Sequence, residues 1–246
     1  MKRISWQITL GLSLVALSIF FYFVHYFLFH DPHHIFIYLV GDIAFVPIEV
    51  LLVTLIIHRI LSRREKLALL HKLNMVIGIF FSEVGTELLK YFSAHYSIPE
   101  AMRHDLLLRS NWTKKQFMLA KKEWHAHDLK IKSQQCDLNG LKAFLLEKRS
   151  FLLGLLENPN LLEHDQFTSL LWAVFHFVEE LAHRKKVDGL SENDYQHLSG
   201  DMTRVYRFLI IQWIQYMEHL KESYPYLFSL AMRTNPFDPE ATPEIK

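Results

Sequence analysis

The chain has 246 residues, and its 27 Lys plus Arg nearly balance its 26 Asp plus Glu. This balance excludes the strongly basic surface of a nucleic-acid-binding protein, and the 50% hydrophobic content excludes a disordered chain. Eight glycines are few for a nucleotide-binding fold with several tight turns between strands and helices. The single cysteine, Cys136, excludes a disulfide framework and a metal site built from several cysteines.

A first apolar segment covers residues 4–29 and contains no Asp, Glu, Lys or Arg. It exceeds the roughly 20 residues that a helix needs to cross a bilayer. A cleavable signal peptide is the alternative, because Ala16 and Ser18 have the spacing of a cleavage site. The apolar run continues well past that point, however, whereas the apolar core of a signal peptide ends after about 7–15 residues. The sequence therefore predicts a retained transmembrane helix.

A second apolar segment covers residues 35–61, and a short connector containing Pro32 separates it from the first. The two spans predict a transmembrane helical hairpin over residues 1–61. Basic residues flank its outer ends: Lys2, Arg3, Arg59, Arg63, Arg64 and Lys66. The positive-inside rule then predicts a multi-pass protein of the cell (inner) membrane with both termini in the cytoplasm. The four basic residues after the second span are also expected to contact anionic lipid head groups.

The remainder of the chain has the pattern of a helical protein with no strand-like alternation. Residues 62–98 predict a juxtamembrane helix, residues 99–234 a cytoplasmic helical bundle, and residues 235–246, with three prolines, a flexible tail. The predicted fold class is thus an all-α membrane protein, a two-span transmembrane helical hairpin followed by a cytoplasmic helical bundle.

Helix-capping signals predict where the bundle helices begin and end. We expect a helix capped by Asn111, helices over 138–156 and 167–186, and a long helix from the capping box at Ser191 to about Glu222. Pro225 interrupts this pattern, and a short helix follows it.

Two carboxylates lie within the second span. Asp42 and Glu49 are seven residues apart and share one helix face. A charge at the bilayer centre costs about 2.5–3.5 kcal/mol, so each carboxylate needs a reason to be there. In one hypothesis, several copies assemble and these residues line a cation path. In the other, Tyr22 and His25 of the first span hydrogen-bond to Asp42 and hold helices together.

A histidine-rich helix suggests a metal site. Glu180 and His183 form the Glu-x-x-His unit of di-iron bundles, and His176 lies on the same side. These residues lie away from the apolar stripe, so a solvated polar face is the simpler interpretation. His197 and Asp201, on the next helix, supply further ligands if the two helices pair antiparallel. An ion pair at the edge of the core is the alternative.

No sequence motif of a known catalytic class is present. The leading interpretation is a non-enzymatic, homo-oligomeric membrane protein whose bundle is a scaffold or regulatory module for a cytosolic partner. The alternatives are a small oligomeric cation channel lined by Asp42 and Glu49, and a membrane-tethered metal-binding protein. No cofactor is required by the first two, and the third predicts a bound transition metal.

Overall fold

The computed structural model describes residues 6–96, 98–103, 105–161 and 164–244. These residues form helices, turns and loops without a strand, which confirms the all-helical fold. The chain divides into two compact units, Met1–Lys66 and Leu67–Lys246.

The first unit contains α1 (Trp6–Phe29) and the first part of α2 (Pro32–Phe80). The connector turns sharply because His30 has a positive φ of 53°. Asp31 then caps α2, since its Oδ1 accepts hydrogen bonds from the backbone N–H groups of His33 and His34 at 3.0 and 3.2 Å. Pro32 suits the first position of the helix, where no N–H donor is needed.

The first unit keeps its apolar surface on the outside. Every described α1 side chain except His25 is exposed, and between Pro32 and Lys66 only Ile35 and Leu39 are half-buried. Both helices are long and apolar enough to cross a membrane. Pro47 lies inside α2 without ending it.

The second unit begins within α2, which continues to Phe80 through the first half of the segment predicted as a juxtamembrane helix. A π-helical turn (Phe81–Gly85) follows, and α3 covers Thr86–His95. Glycine is required at Gly85, because a Cβ there would lie 2.6 Å from the ring of Phe81. The other helices are α4 (Glu100–Arg103), α5 (Lys114–Ala126), α6 (Leu138–Glu147), α7 (Arg149–Leu156), α8 (Asp165–His183), α9 (Glu192–Ser223) and α10 (Pro225–Arg233).

The predicted helix ends are right in some places and wrong in others. Ser191 caps α9 by accepting from the N–H of Asp194, as expected, and the short helix α10 begins at Pro225, where the sequence predicts the break. The cap of α5 is Thr113 rather than Asn111, because its N–H donates to Gln116 Oε1 at 2.6 Å in a capping box. The predicted helix over 138–156 is two helices divided at Lys148.

The long helix α9 lies at the centre of the second unit and packs against α8, α5 and α10. Tyr206 is fully buried there, 5.3 Å from the ring of Phe92. Ordered contacts continue past residue 234, which corrects the predicted start of the flexible tail. Asn235 Nδ2 donates to the carbonyl of Leu106 at 2.7 Å, and the ring of Phe237 lies 5.0 Å from Trp213.

Candidate metal centre

Two neighbouring helices of the second unit place the sequence-predicted histidines together. A short connector, with Gly189 at a φ of +64°, joins α8 to α9. The side chains pair in an antiparallel register, because the earlier residue of α8 meets the later residue of α9. His176 thus approaches Asp201, and Glu180 approaches His197.

Four side chains form a closed ring in which imidazoles and carboxylates alternate. Asp201 Oδ2 lies 3.4 Å from Nε2 of both His176 and His197. Glu180 completes the ring, with Oε2 3.5 Å from His197 Nε2 and Oε1 3.9 Å from His176 Nε2. We call these four residues the histidine–carboxylate ring.

The edges of this ring have the length expected around a metal ion. A tetrahedral ion with bonds of about 2.1 Å separates its ligand atoms by about 3.4 Å. Three of the four edges measure 3.4–3.5 Å. The donor atoms of His176, Glu180 and His197 all lie within 4.8 Å of one another. These three residues form the compact donor set, and Asp201 contacts both imidazoles from the buried side.

Asp201 forms the floor of the ring. Its side chain is 3% exposed, and Oδ1 accepts a hydrogen bond from Arg204 at 3.1 Å. Oδ2 has no hydrogen-bond partner within the described part of the chain, although it lies between the two imidazoles. A buried carboxylate oxygen without a partner is costly. The imidazoles of His176 and His197 are about half exposed, so the ring opens to solvent above Asp201.

Glu180 is held in its ionised form by a neighbouring guanidinium. Arg184 donates to Glu180 Oε2 at 2.5 Å and also contacts Asp194 on α9 at 3.4 Å. This hydrogen bond is the main reason that the pKa of Glu180 lies below its usual range, and His197 contributes in the same direction. Metal ligands must be deprotonated, and Glu180 meets this requirement at neutral pH.

The structure brings together four of the five residues that the sequence suggested and leaves out the fifth. The side chain of His183 is 80% exposed, and its Nδ1 hydrogen-bonds to the carbonyl of Glu179 at 2.8 Å. His183 follows His176 by two helical turns on the same side of α8, and its imidazole is turned back to the Glu179 carbonyl rather than toward the ring. Sequence reasoning missed Arg184 and Arg204, although each follows a ring carboxylate by one helical turn.

Tyr22 and His25, the predicted hydrogen-bond partners of Asp42, do not contact it. Asp42 and Glu49 are exposed and have no side-chain partner among the described residues. Tyr22 is exposed, and the ring of His25 stacks on His34 at 6.3 Å. Because His34 precedes Asp42 by eight residues, or about 12 Å along the helix, His25 lies too close to the turn to reach Asp42.

The remaining candidates have simple environments. The predicted head-group ligands Arg59, Arg63, Arg64 and Lys66 are all exposed. Burial raises the pKa of the Cys136 thiol to about 11, and its Sγ lies 3.4 Å from the carbonyl of Lys132. A thiol with this pKa is protonated at neutral pH and is a poor nucleophile.

Comparison with known proteins reveals a two-domain relative. Residues 69–233 match the family described as the uncharacterized protein MJ1433, C-terminal helical domain, and residues 2–61 match its N-terminal helical domain. The chain is 45% identical over 233 residues to the uncharacterized protein MJ1433 of Methanocaldococcus jannaschii, covering 95% of this chain and 94% of that protein. No solved structure matches. The two matched segments meet near the boundary between the two compact units.

Proposed function

The chain belongs to the MJ1433 family of helical proteins, and we propose that it is a membrane-anchored protein that binds a divalent transition metal in the histidine–carboxylate ring. One observation carries the proposal. The buried Oδ2 of Asp201 has no hydrogen-bond partner in the described chain, and it lies 3.4 Å from the Nε2 atoms of His176 and His197.

The donor set narrows the class of metal. Two imidazole nitrogens and two carboxylate oxygens suit Zn²⁺, and they also suit Fe²⁺ and Mn²⁺. Each helix contributes one histidine and one carboxylate. A bound ion would therefore join α8 to α9 directly and stabilise the bundle.

The surface of the first unit is the reason for proposing a membrane anchor. The outward-facing apolar surface of α1 and of the first part of α2 would be unfavourable in water. The exposed basic residues after the second span favour the cytoplasmic side for the second unit. We therefore place the metal site in the cytoplasm, together with both termini.

The test is a metal titration of the full-length protein. The protein is purified in detergent without a histidine tag, stripped with a chelator and titrated with Zn²⁺ by calorimetry. We expect one ion per chain. His197→Ala removes a proposed ligand and should weaken Zn²⁺ binding by at least about 100-fold. Loss of a residue that only hydrogen-bonds to a ligand usually weakens metal binding by less.

His183→Ala is the matched control, because His183 lies on α8 but outside the ring. This variant should bind Zn²⁺ as the wild type does. The proposal is wrong if the wild type binds no ion, or if His183→Ala loses as much affinity as His197→Ala.

A second candidate function follows from the carboxylates of α2. Asp42 and Glu49 have no side-chain partner in the described part of a single chain, and carboxylates within a bilayer usually pair or line a water-filled path. Further copies of the chain could supply those partners and form a cation channel. Native mass spectrometry of the solubilised protein tests this idea, since a channel needs a ring of about four or more copies. A monomer would contradict it, as would ion flux in liposomes that is unchanged by Asp42→Asn with Glu49→Gln.

A further inference from the structure

Each carboxylate of the histidine–carboxylate ring is paired with a guanidinium from its own helix or from the residue that caps it. Arg184 donates to Glu180, four residues earlier on α8, and Arg204 donates to Asp201, three residues earlier on α9. The two helices thus present the same series of histidine, carboxylate and arginine. Such pairing neutralises the carboxylates before any metal binds.

A bound divalent ion changes the charge of this cluster. The two guanidiniums already balance Glu180 and Asp201, so the ion brings a net charge of +2 to the ring. Counting Asp194, which contacts Arg184 from α9, still leaves +1. An excess positive charge at a partly buried site attracts an anion. The cluster is therefore incomplete with the metal alone.

The solvent side of the ring has room and donors for such an anion. Asp201 closes the buried side, whereas the side chains of His176 and His197 are 45% and 51% exposed. Arg204 is 55% exposed, and its one hydrogen bond recorded in the described chain uses Nη1. A guanidinium carries five N–H donors, so Arg204 retains donors that face solvent. Zinc in proteins sometimes expands from four to five ligands.

We infer that the metal-loaded ring binds an oxyanion of the phosphate class, with one oxygen on the ion and another accepting hydrogen bonds from Arg204. The planar fork of arginine matches the geometry of phosphate oxygens. This inference rests on the proposed metal site and adds its ligand. Metal and anion should then strengthen each other's binding by the same factor, because coupling between two ligands is reciprocal.

The test measures this coupling in the solubilised full-length protein. Co²⁺ is the metal probe, because its visible absorption reports a change in coordination. Its affinity is measured with inorganic phosphate, with glycerol phosphate and with chloride at matched ionic strength. We expect phosphate to tighten Co²⁺ binding by about tenfold. Glycerol phosphate should act similarly if the natural ligand is a phosphate monoester, and more weakly if it is free phosphate.

Two variants sharpen the result. Arg204→Gln should keep Co²⁺ binding and lose most of the coupling to phosphate. Arg207→Gln is the matched control, because Arg207 lies one turn further along α9 and contacts the carbonyl of His125. The inference is overturned if Co²⁺ binds but phosphate acts no better than chloride, or if Arg204→Gln keeps the full coupling. A wild-type protein that binds no metal would overturn the proposed function itself.

Discussion

The two units of this protein place their carboxylate side chains in opposite environments. In the second unit, Glu180 and Asp201 each have an imidazole and a guanidinium within hydrogen-bond or ion-pair distance. In the first unit, Asp42 and Glu49 are exposed without a side-chain partner in the described chain. The second unit surrounds its two carboxylates with imidazoles and guanidiniums, although Asp201 Oδ2 has no hydrogen-bond partner in the described chain. The first unit places no side-chain partner beside Asp42 or Glu49 among the described residues.

The apolar side chains show the same contrast. Phe20 and Phe23 of α1 are 59% and 71% exposed, whereas Phe177 of α8 is fully buried. The first unit therefore presents apolar side chains on its outside, whereas the second encloses them in a core. The four predictions that follow test this difference, beginning with the largest expected effect.

Removing the first unit should change where the protein is found. The full chain should sediment almost entirely with membranes, whereas residues 67–246 should remain almost entirely soluble, because the outward apolar surface belongs to α1 and the first part of α2. Cell fractionation measures this, and circular dichroism verifies that the shorter chain is helical. If residues 67–246 sediment with membranes as fully as the whole chain does, the contrast between the units is wrong.

A phenylalanine-to-alanine substitution should cost more stability in the second unit than in the first. Phe177→Ala removes a ring from the closed core and should lower the free energy of unfolding by about 3–5 kcal/mol. Phe20→Ala, in exposed α1, is the matched control and should leave the unfolding of the second unit nearly unchanged. Urea unfolding in detergent, followed by circular dichroism, provides the measurement. Equal losses in the two variants would mean that α1 belongs to the same core.

Much of this contrast could be predicted from the sequence. Long apolar runs identify α1 and the first part of α2, because a helix able to cross a bilayer is recognised by length and composition. The division of the helix at Lys148 could not be predicted, since no proline or glycine marks it. Lys148 adopts a φ of −86° and a ψ of −1° at the junction, and its Nζ reaches Glu83, far away in sequence, at 3.1 Å.

The grouping of the histidine–carboxylate ring could be predicted only in part, for a similar reason. The histidines and carboxylates of each helix are visible locally, but the choice between His183 and Asp201 depends on how α9 lies against α8. Only the antiparallel register brings Asp201 Oδ2 between His176 and His197. Pairing between helices is a long-range property, and helical periodicity gives no register for it.

Metal binding should stabilise the second unit by less than the buried ring of Phe177 does. At a free Zn²⁺ concentration of about 100 times the Kd, the stabilisation is about 2.7 kcal/mol. Thermal unfolding with and without Zn²⁺ measures it. His197→Ala should abolish the metal-dependent shift, while His183→Ala should keep it, because His183 lies outside the ring. A shift of the same size in both variants would indicate that Zn²⁺ binds elsewhere.

The smallest expected effect concerns a carboxylate pair outside the histidine–carboxylate ring. Burial and the neighbouring Glu123 raise the pKa of Asp105 to about 6, above the value of about 3.9 for an unfolded chain. The folded state therefore binds this proton more tightly. The stabilisation is full below about pH 4 and is lost as the pH rises through about 6.

Asp105→Asn cannot ionise, so it should remove this part of the pH dependence. At neutral pH the variant should be more stable than the wild type, by no more than about 1 kcal/mol, because solvent screens the pair. Asp128→Asn is a control of opposite sign, since Lys130 lowers the pKa of Asp128 and stabilises its charged form. Urea unfolding between about pH 4 and pH 7 measures both variants. An Asp105→Asn protein that keeps the wild-type pH profile would show that water, rather than burial, sets the charge of this pair.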